Sequence, residues 1–178
     1  MSFHNLLSKT ARACAAYIVN ADLAGVGQNV YPVKNSGDKQ IGNGLVICDC
    51  LRWTSDPGNP GRYLVETRIV CQTPASPQPT DPAAPVERIA SEEFVSQVFD
   101  LFFTDVVQQD NTQLADLITA AGQQLAATDP DNNGDMAYFK CDEIVFEGGS
   151  GDANEDGAFW EDVLNLTLFV RAVNVSED

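Results

Sequence analysis

Two pairs of strand patterns, separated by a helical middle, constrain the fold of this chain more than any other feature. The first pair covers residues 45–53 and 62–73, and the second covers residues 136–148 and 159–173. Apolar and polar residues alternate through "RYLVETRIVCQT" and "LNLTLFV", with the period of a strand that has one wet face. The loop "TSDPGNPG" joins the first pair, so we predict a hairpin there.

Three segments have the periodicity of helices, namely residues 4–19, a segment that begins at Ser91, and residues 112–126. The order of elements is therefore α-β-β-α-α-β-β, without a repeated β-α-β unit. This order predicts an α+β domain in which helices pack on one face of a small, largely antiparallel sheet of about four strands.

Two connecting segments have unusual compositions. Residues 73–88 include five prolines between positions 74 and 85, so this segment is predicted to be a long surface loop. A domain linker is less favoured, because neither side alone has enough elements to close a core. Residues 148–158, "GGSGDANEDGA", are predicted to form the glycine-rich, acidic tip of the C-terminal hairpin. One domain over residues 1–178 follows.

Charge is distributed unevenly along the 178 residues, which have a formal net charge of −16. Residues 1–72 have seven Lys/Arg and five Asp/Glu (7 − 5 = +2), and residues 73–178 have three and 21 (3 − 21 = −18). Proteins that bind nucleic acid draw most of their affinity from cations that neutralise phosphates. Sequence-specific binding to nucleic acid is therefore not expected. A simpler explanation of the negative charge is that acidic surfaces keep proteins soluble.

The five cysteines lie at positions 14, 48, 50, 71 and 141, an odd number without regular spacing. Cys48 and Cys50 alternate in "GLVICDCLRW", which places both on one face of a strand. We therefore predict buried, reduced core thiols and assembly in the cytoplasm. The short apolar run "ACAAYIV" follows a polar helix turn, so neither a signal peptide nor a membrane span is predicted.

Residues suited to catalysis are scarce. The single histidine, His4, lies at the start of the chain, which leaves no second histidine for a zinc site and no well-placed base. The acidic pairs Asp142/Glu143 and Glu161/Asp162 are adjacent on predicted strands, so the two members of each pair should point to opposite faces. Carboxylates brought together from distant strands remain an open alternative. No enzyme activity, catalytic residue, cofactor or metal ligand is predicted.

Calcium binding is the principal alternative, because two acidic stretches, 129–135 and 152–157, match the first half of a calcium loop. They contain Asp129, Asp131, Asn133 and Gly134 in the first stretch, and Asp152, Asn154, Asp156 and Gly157 in the second. The loop of an EF-hand needs a glutamate at its twelfth position. Lys140 and Val163 stand there instead, and the same residues are typical of turns. A calcium-linked binding module with Glu161 or Asp162 as a substitute ligand stays open.

The element order and several local phrases resemble the tail terminator (tail completion) family of tailed bacteriophages. The resemblance rests on an N-terminal helix that ends in "NADLAGVGQNVYPV", the strand pair "GLVICDCLRW" and "GRYLVETRIVCQT", a helix after a variable loop, and a last hairpin that ends in "LNLTLFVRAV". It covers roughly residues 3–175 and includes no catalytic motif. The proline-rich loop and the acidic hairpin tip depart from the pattern, and other neck or head–tail connector proteins of similar size remain an alternative.

The resemblance implies a structural virion protein. It implies a hexameric ring in the neck that caps the tail tube, ends polymerisation of the tube protein and joins the tail to the head-side connector. DNA would slide through the ring lumen, where an acidic surface would not hold it. The +2/−18 division would help unlike parts of neighbouring subunits to meet.

Overall fold

The computed structural model describes residues 6–32, 41, 44–74, 88–103, 111–128, 139–153 and 159–172. In chain order the elements are α1 (Leu6–Asn20), β1 (Val30–Tyr31), β2 (Leu45–Ser55), β3 (Arg62–Pro74), α2 (Arg88–Phe103), α3 (Asn111–Thr128), β4 (Phe139–Ala153) and β5 (Phe159–Ala172). The protein is α+β, with three helices and a five-strand mixed sheet in the described part of the chain.

The strands of the sheet lie in the order β1-β2-β3-β5-β4. The β2–β3, β3–β5 and β5–β4 pairs are antiparallel, and the short β1 runs parallel to β2. β5 therefore lies between β3 and β4, so segments from both sides of the proline-rich stretch share one sheet. The predicted hairpins, β2–β3 and β4–β5, are both present.

One face of the sheet and the helices enclose the main core. α1 and α3 pack against each other and against β2 and β4, while α2 contacts β3 and β5. The largest fully buried side chains lie in this layer and include Ile18, Ile69, Phe102, Leu114, Ile118, Phe139, Ile144, Leu164, Leu166 and Leu168. The predicted inward alternation of β5 is confirmed, because Leu164, Leu166, Leu168 and Val170 are all buried.

The predicted number and order of strands were wrong, because the sheet has an additional edge strand, β1. Val30 and Tyr31 form this strand shortly after α1, where no strand was predicted. The side-chain amide of Asn29 donates hydrogen bonds to the carbonyls of Gly44 (2.6 Å) and Ile41 (3.3 Å). The Val46 amide also donates to the Asn29 carbonyl at 3.0 Å. These long-range bonds hold two residues beside β2, and a two-residue strand has no periodicity of its own to read.

The boundaries of both predicted loops were also wrong. Gly149–Ala153, assigned to the acidic tip, extend β4 beyond the predicted strand, because each of these residues pairs with a residue of β5 between Trp160 and Leu164. Pro74, assigned to the proline-rich loop, extends β3 by one residue and pairs with Phe159. In both places pairing with the partner strand β5 makes these residues part of a strand. The prediction was wrong because their glycine and proline content is typical of loops. Arg88, the last residue of the predicted loop, begins α2, so this helix starts three residues before the predicted Ser91. The other residues of the two predicted loops lie outside the described part of the chain.

Gly44 lies where the chain enters β2 against α2. A Cβ atom at this position would lie 2.4 Å from the ring of Phe94, which is itself buried. We expect Gly44→Ala to lower the free energy of unfolding by about 1–3 kcal/mol, the usual cost of overpacking a core. Urea denaturation measures this loss, with Gly58→Ala in an exposed turn as the matched control. Phe94→Leu should recover part of the loss in the double variant, and equal losses in all three variants would contradict the explanation.

Thr119 connects α3 to β4. Its hydroxyl accepts a hydrogen bond from the Cys141 amide at 2.9 Å and can donate to the Ala115 carbonyl at 2.8 Å. We expect Thr119→Val to cost about 1–3 kcal/mol, since a buried amide loses its acceptor. Thr128→Val, at an exposed threonine of the same helix that bonds the Gln124 carbonyl, should cost less than about 0.5 kcal/mol in the same denaturation experiment. Similar costs at both positions would show that the contact with β4 is unimportant.

Candidate interaction surface

Most residues of the two candidate calcium loops lie outside the described part of the chain, as does His4. Asp152 is the exception, because its backbone forms the penultimate residue of β4 and pairs with Glu161. Among the residues that the structure describes, no group of three or more His, Cys, Asp or Glu side chains could hold a metal ion. The calcium hypothesis stays a prediction, which titration calorimetry with Ca²⁺ tests.

The two acidic pairs behave differently. A register shift between Cys141 and Glu143 forms a bulge at Asp142, and this bulge overturns the predicted alternation there. The carboxylates of Asp142 and Glu143 contact Arg171 (2.7 Å) and Arg62 (3.6 Å), two arginines that are opposite one another in register. Both acids therefore reach the same face of the sheet.

Glu161 and Asp162 follow the predicted alternation. Glu161 accepts a hydrogen bond from Gln72 at 2.9 Å, on the face that points away from the helices. Asp162 is opposite Cys71 on the helix side. The two carboxylates therefore lie on different faces of the sheet, and this pair does not form a two-carboxylate site by itself.

The cysteines are confirmed as free thiols, and four of the five are buried in the core. Burial raises the pKa of the Cys50 and Cys141 thiols to about 12, and it also raises the pKa of Cys14, Cys48 and Cys71 well above the ordinary value of a thiol. The partly exposed Cys50 also lies 3.3 Å from the Thr67 hydroxyl. At neutral pH the thiols are thus protonated, and protonated thiols are poor nucleophiles.

The sheet face opposite the helices has two parts. At one end Leu45, Ile47 and Val70 are buried and contact Tyr31, Ile41 and Val163. The rest, which we call the charged face, presents ion pairs such as Asp49–Arg68 (2.7 Å) and Arg52–Glu66 (2.6 Å).

The charged face holds five of the ten Lys and Arg residues of the chain, each within 4.0 Å of a carboxylate, namely Arg52, Arg62, Arg68, Lys140 and Arg171. Ion pairs this close to solvent contribute little to stability. Their main consequence is that half of the protein's cations are neutralised on one face. This arrangement does not offer the unpaired basic stripe that binding to phosphates requires.

The second half of β2 is the most exposed apolar part of the described chain. Leu51–Ser55, which we call the edge segment, is exposed along its whole length. β1 pairs only with Val46 and Ile47, so the outer edge of this segment has no partner strand among the described residues. Leu51 is 49% exposed and Trp53 is 38% exposed. A register shift between Cys50 and Arg52 places the two side chains on opposite faces, because Trp53 is opposite the buried Val65 whereas Leu51 lies beside Glu66 and Arg68.

The turn after the edge segment is fixed by Asp56. Its carboxylate accepts hydrogen bonds from the Gly58 amide (2.9 Å), the Asn59 side chain (3.2 Å) and the Arg62 guanidinium (2.6 Å). The hydrogen bonds from Gly58 and Arg62 hold the pKa of Asp56 below its ordinary value. The ring of Trp53 meets that of Tyr63 edge to face at 5.4 Å. The edge segment is therefore held in a defined shape despite its exposure.

A groove between α1 and α3 is the second candidate surface. Its volume is about 340 Å³, and its walls are mainly apolar, with Ala15, Ala16, Val19, Pro32, Ala121 and Leu125 among the lining residues. The Asn20 side chain donates a hydrogen bond to that of Gln124 at 3.2 Å, which joins the two helices at its rim. This volume is at the low end of that found for ligand pockets.

Sequence reasoning identified neither surface as a site. The signal for the edge segment was available, because "LRWTSDPGNPGR" combines a tryptophan with the Asx-type turn residues Asp56, Gly58 and Asn59. The groove offered no such signal, since it arises where two helices from distant parts of the chain come together.

None of the helices in the described ranges combines the length and the apolarity needed to cross a membrane. The sequence matches no protein-family model, and no curated protein matches it with significance.

Proposed function

We propose that this chain is a structural virion protein of a tailed bacteriophage, a tail terminator that forms a hexameric ring at the head-proximal end of the tail tube. In this role the ring ends polymerisation of the tube protein, fixes the tail length and provides the surface that the head-side connector binds. The sequence resemblance is the source of the proposal. The observation that supports it is the two-layer α+β arrangement, in which a helix layer and the charged face give the two sides of the protein different chemistry.

The distribution of charge supports the same role. Half of the cations are paired with carboxylates on the charged face, and the chain as a whole has a net charge of −16. Surfaces of this kind repel the DNA backbone. DNA that passes through the lumen of such a ring would therefore slide without being held. No catalytic residue and no cofactor belong to the proposed function.

Disruption of the gene in the phage tests the proposal. We expect tails of irregular, extended length that carry no heads when the protein is absent, and tails of normal length when it is supplied in trans. Electron microscopy of purified particles measures both the lengths and the joining. Tails of normal length that remain joined to heads in the absence of the protein would contradict the proposal.

A further inference from the structure

We infer that a polar cavity on the charged face binds a primary alkylammonium ligand, that is, a small aliphatic amine in its protonated form. The cavity has a volume of about 270 Å³ and lies across the middle of the sheet, between β2 and β4. Its lining includes Leu51, Glu66, Arg68, Glu147, Asn165 and Thr167. The inference does not depend on the proposed function, because the site lies within one chain.

Two β-bulges at the same level of the sheet shape this cavity. Leu51 is the additional residue of the bulge in β2, and Glu147 is the additional residue of a second bulge in β4. The residues before them, Cys50 and Phe146, belong to one row across the sheet, because their partners in β3 and β5 are opposite each other. Bulges redirect side chains and are frequent beside functional sites. Here they bring a leucine and a glutamate to opposite sides of one cavity.

Glu147 provides the negative charge of the cavity. Its carboxylate accepts a hydrogen bond from the Thr167 hydroxyl at 3.1 Å, and Thr167 is only 8% exposed. Within the described ranges, no lysine or arginine side chain lies at ion-pair distance from Glu147. A buried hydroxyl therefore orients this carboxylate, and its charge is left for a cation that enters the cavity.

The other charged groups of the lining are already paired. Glu66 contacts Arg52 at 2.6 Å, and Arg68 contacts Asp49 at 2.7 Å. These two pairs cancel, so the lining and its ion-pair partners together have two arginines and three acids (2 − 3 = −1). The net charge of the site is that of Glu147, which favours a monovalent cation.

An ammonium group on an alkyl chain fits this lining better than a metal ion or an anion. An ammonium group donates three hydrogen bonds, and the Glu147 carboxylate and the Asn165 carboxamide offer oxygen acceptors. Leu51 gives the alkyl chain an apolar wall. Calcium needs six to eight oxygen ligands, and no group of three or more acidic, histidine or cysteine side chains in the described ranges could hold a metal ion. An anion would be repelled by Glu147.

Isothermal titration calorimetry of the full-length chain with n-butylammonium chloride tests the inference, with sodium chloride at the same ionic strength as the blank. We expect saturable binding to the wild type. Glu147→Gln keeps the size of the side chain and an acceptor for Thr167 but removes the charge. It should weaken the affinity roughly tenfold or more, since hydrogen bonds to charged groups are the strong ones.

Glu161→Gln is the matched control. Glu161 also lies on the sheet face that points away from the helices and accepts a hydrogen bond from a neutral side chain, Gln72, but it does not line the cavity. This variant should bind n-butylammonium like the wild type. Circular dichroism and the melting temperature verify that each variant is folded.

A second ligand tests the apolar wall. The wild type should bind n-butylammonium roughly tenfold more tightly than methylammonium, because the longer chain buries methylene groups against Leu51. Leu51→Ala should reduce this ratio by at least half. An unchanged ratio would overturn the placement of the alkyl chain in the cavity.

Three other results would overturn the site itself. The first is the absence of saturable binding to the folded wild type, and the second is equal affinity of Glu147→Gln and the wild type. The third is an equal loss in Glu161→Gln, which would show that the amine binds the acidic surface in general. None of these results bears on the proposed ring, so the two proposals fail separately.

Discussion

The stability of this protein should fall steeply above pH 9, because its core contains four buried thiols. Burial raises the pKa of Cys141 to about 12 and raises that of Cys14, Cys48 and Cys71 well above the ordinary value, whereas thiols of the unfolded chain titrate near 8.5–9. A group whose pKa is raised on folding stabilises the native state fully below its unfolded pKa. That contribution is lost as the pH rises toward the folded pKa.

The size of this effect follows from linkage. Each buried thiol costs about 1.4 kcal/mol per pH unit in the window above pH 9, so four thiols together cost about 6 kcal/mol at pH 10. This loss is comparable with the entire free energy of unfolding of many domains. Urea denaturation under reducing conditions between pH 7 and 10.5 should therefore show a midpoint that falls sharply once the pH exceeds 9.

Single replacements of buried thiols provide the control, since lysine and tyrosine also titrate in alkaline solution. Cys48→Val and Cys71→Val will change the stability at pH 7 by amounts that depend on packing. Each should nevertheless reduce the dependence of the unfolding free energy on pH by about 1.4 kcal/mol per unit above pH 9. An unchanged slope in both variants would show that the thiols do not control alkaline unfolding.

The largest effect of a single substitution is expected at Phe102. Its side chain is fully buried at the end of α2 and meets the ring of Tyr17 edge to face at 5.6 Å. The Tyr17 hydroxyl also donates a hydrogen bond to the Leu101 carbonyl at 2.7 Å, so these residues join α1 to α2. Phe102→Ala should lower the free energy of unfolding by about 3–5 kcal/mol, as is usual when a buried phenylalanine is removed.

The neighbouring residue provides a matched control. Phe103 is 38% exposed and stacks on Phe146 at 5.0 Å. Phe103→Ala should cost about 1 kcal/mol, because it removes one aromatic contact and leaves little cavity. Denaturation with urea compares the two variants, and the slope of the transition should stay constant if folding remains two-state. Equal losses at both positions would mean that α2 packs in a different orientation.

Helices and strands could be predicted from the sequence wherever a segment was long enough to show a regular spacing of apolar residues. All three helices and four of the five strands were predicted, and β5 is the clearest case because four buried residues alternate along it. β1 was missed for the opposite reason. Val30 and Tyr31 are a strand only because Asn29 binds backbone groups more than ten residues away.

Predictions of which residues face each other were less successful. The bulge at Asp142 turns two neighbouring carboxylates toward one face of the sheet, and no feature of the local sequence predicts this bulge. The groove depends on how α1 and α3 pack, although their apolar faces were visible in the sequence. The edge segment is an exception, since an exposed tryptophan followed by a tight turn can be recognised in advance.

Electron microscopy of the purified protein in negative stain tests the proposed ring. We expect closed rings with six-fold symmetry and a central opening, of uniform diameter across preparations. Particles of monomeric size at every concentration, or open filaments without rings, would show that the proposed ring does not form.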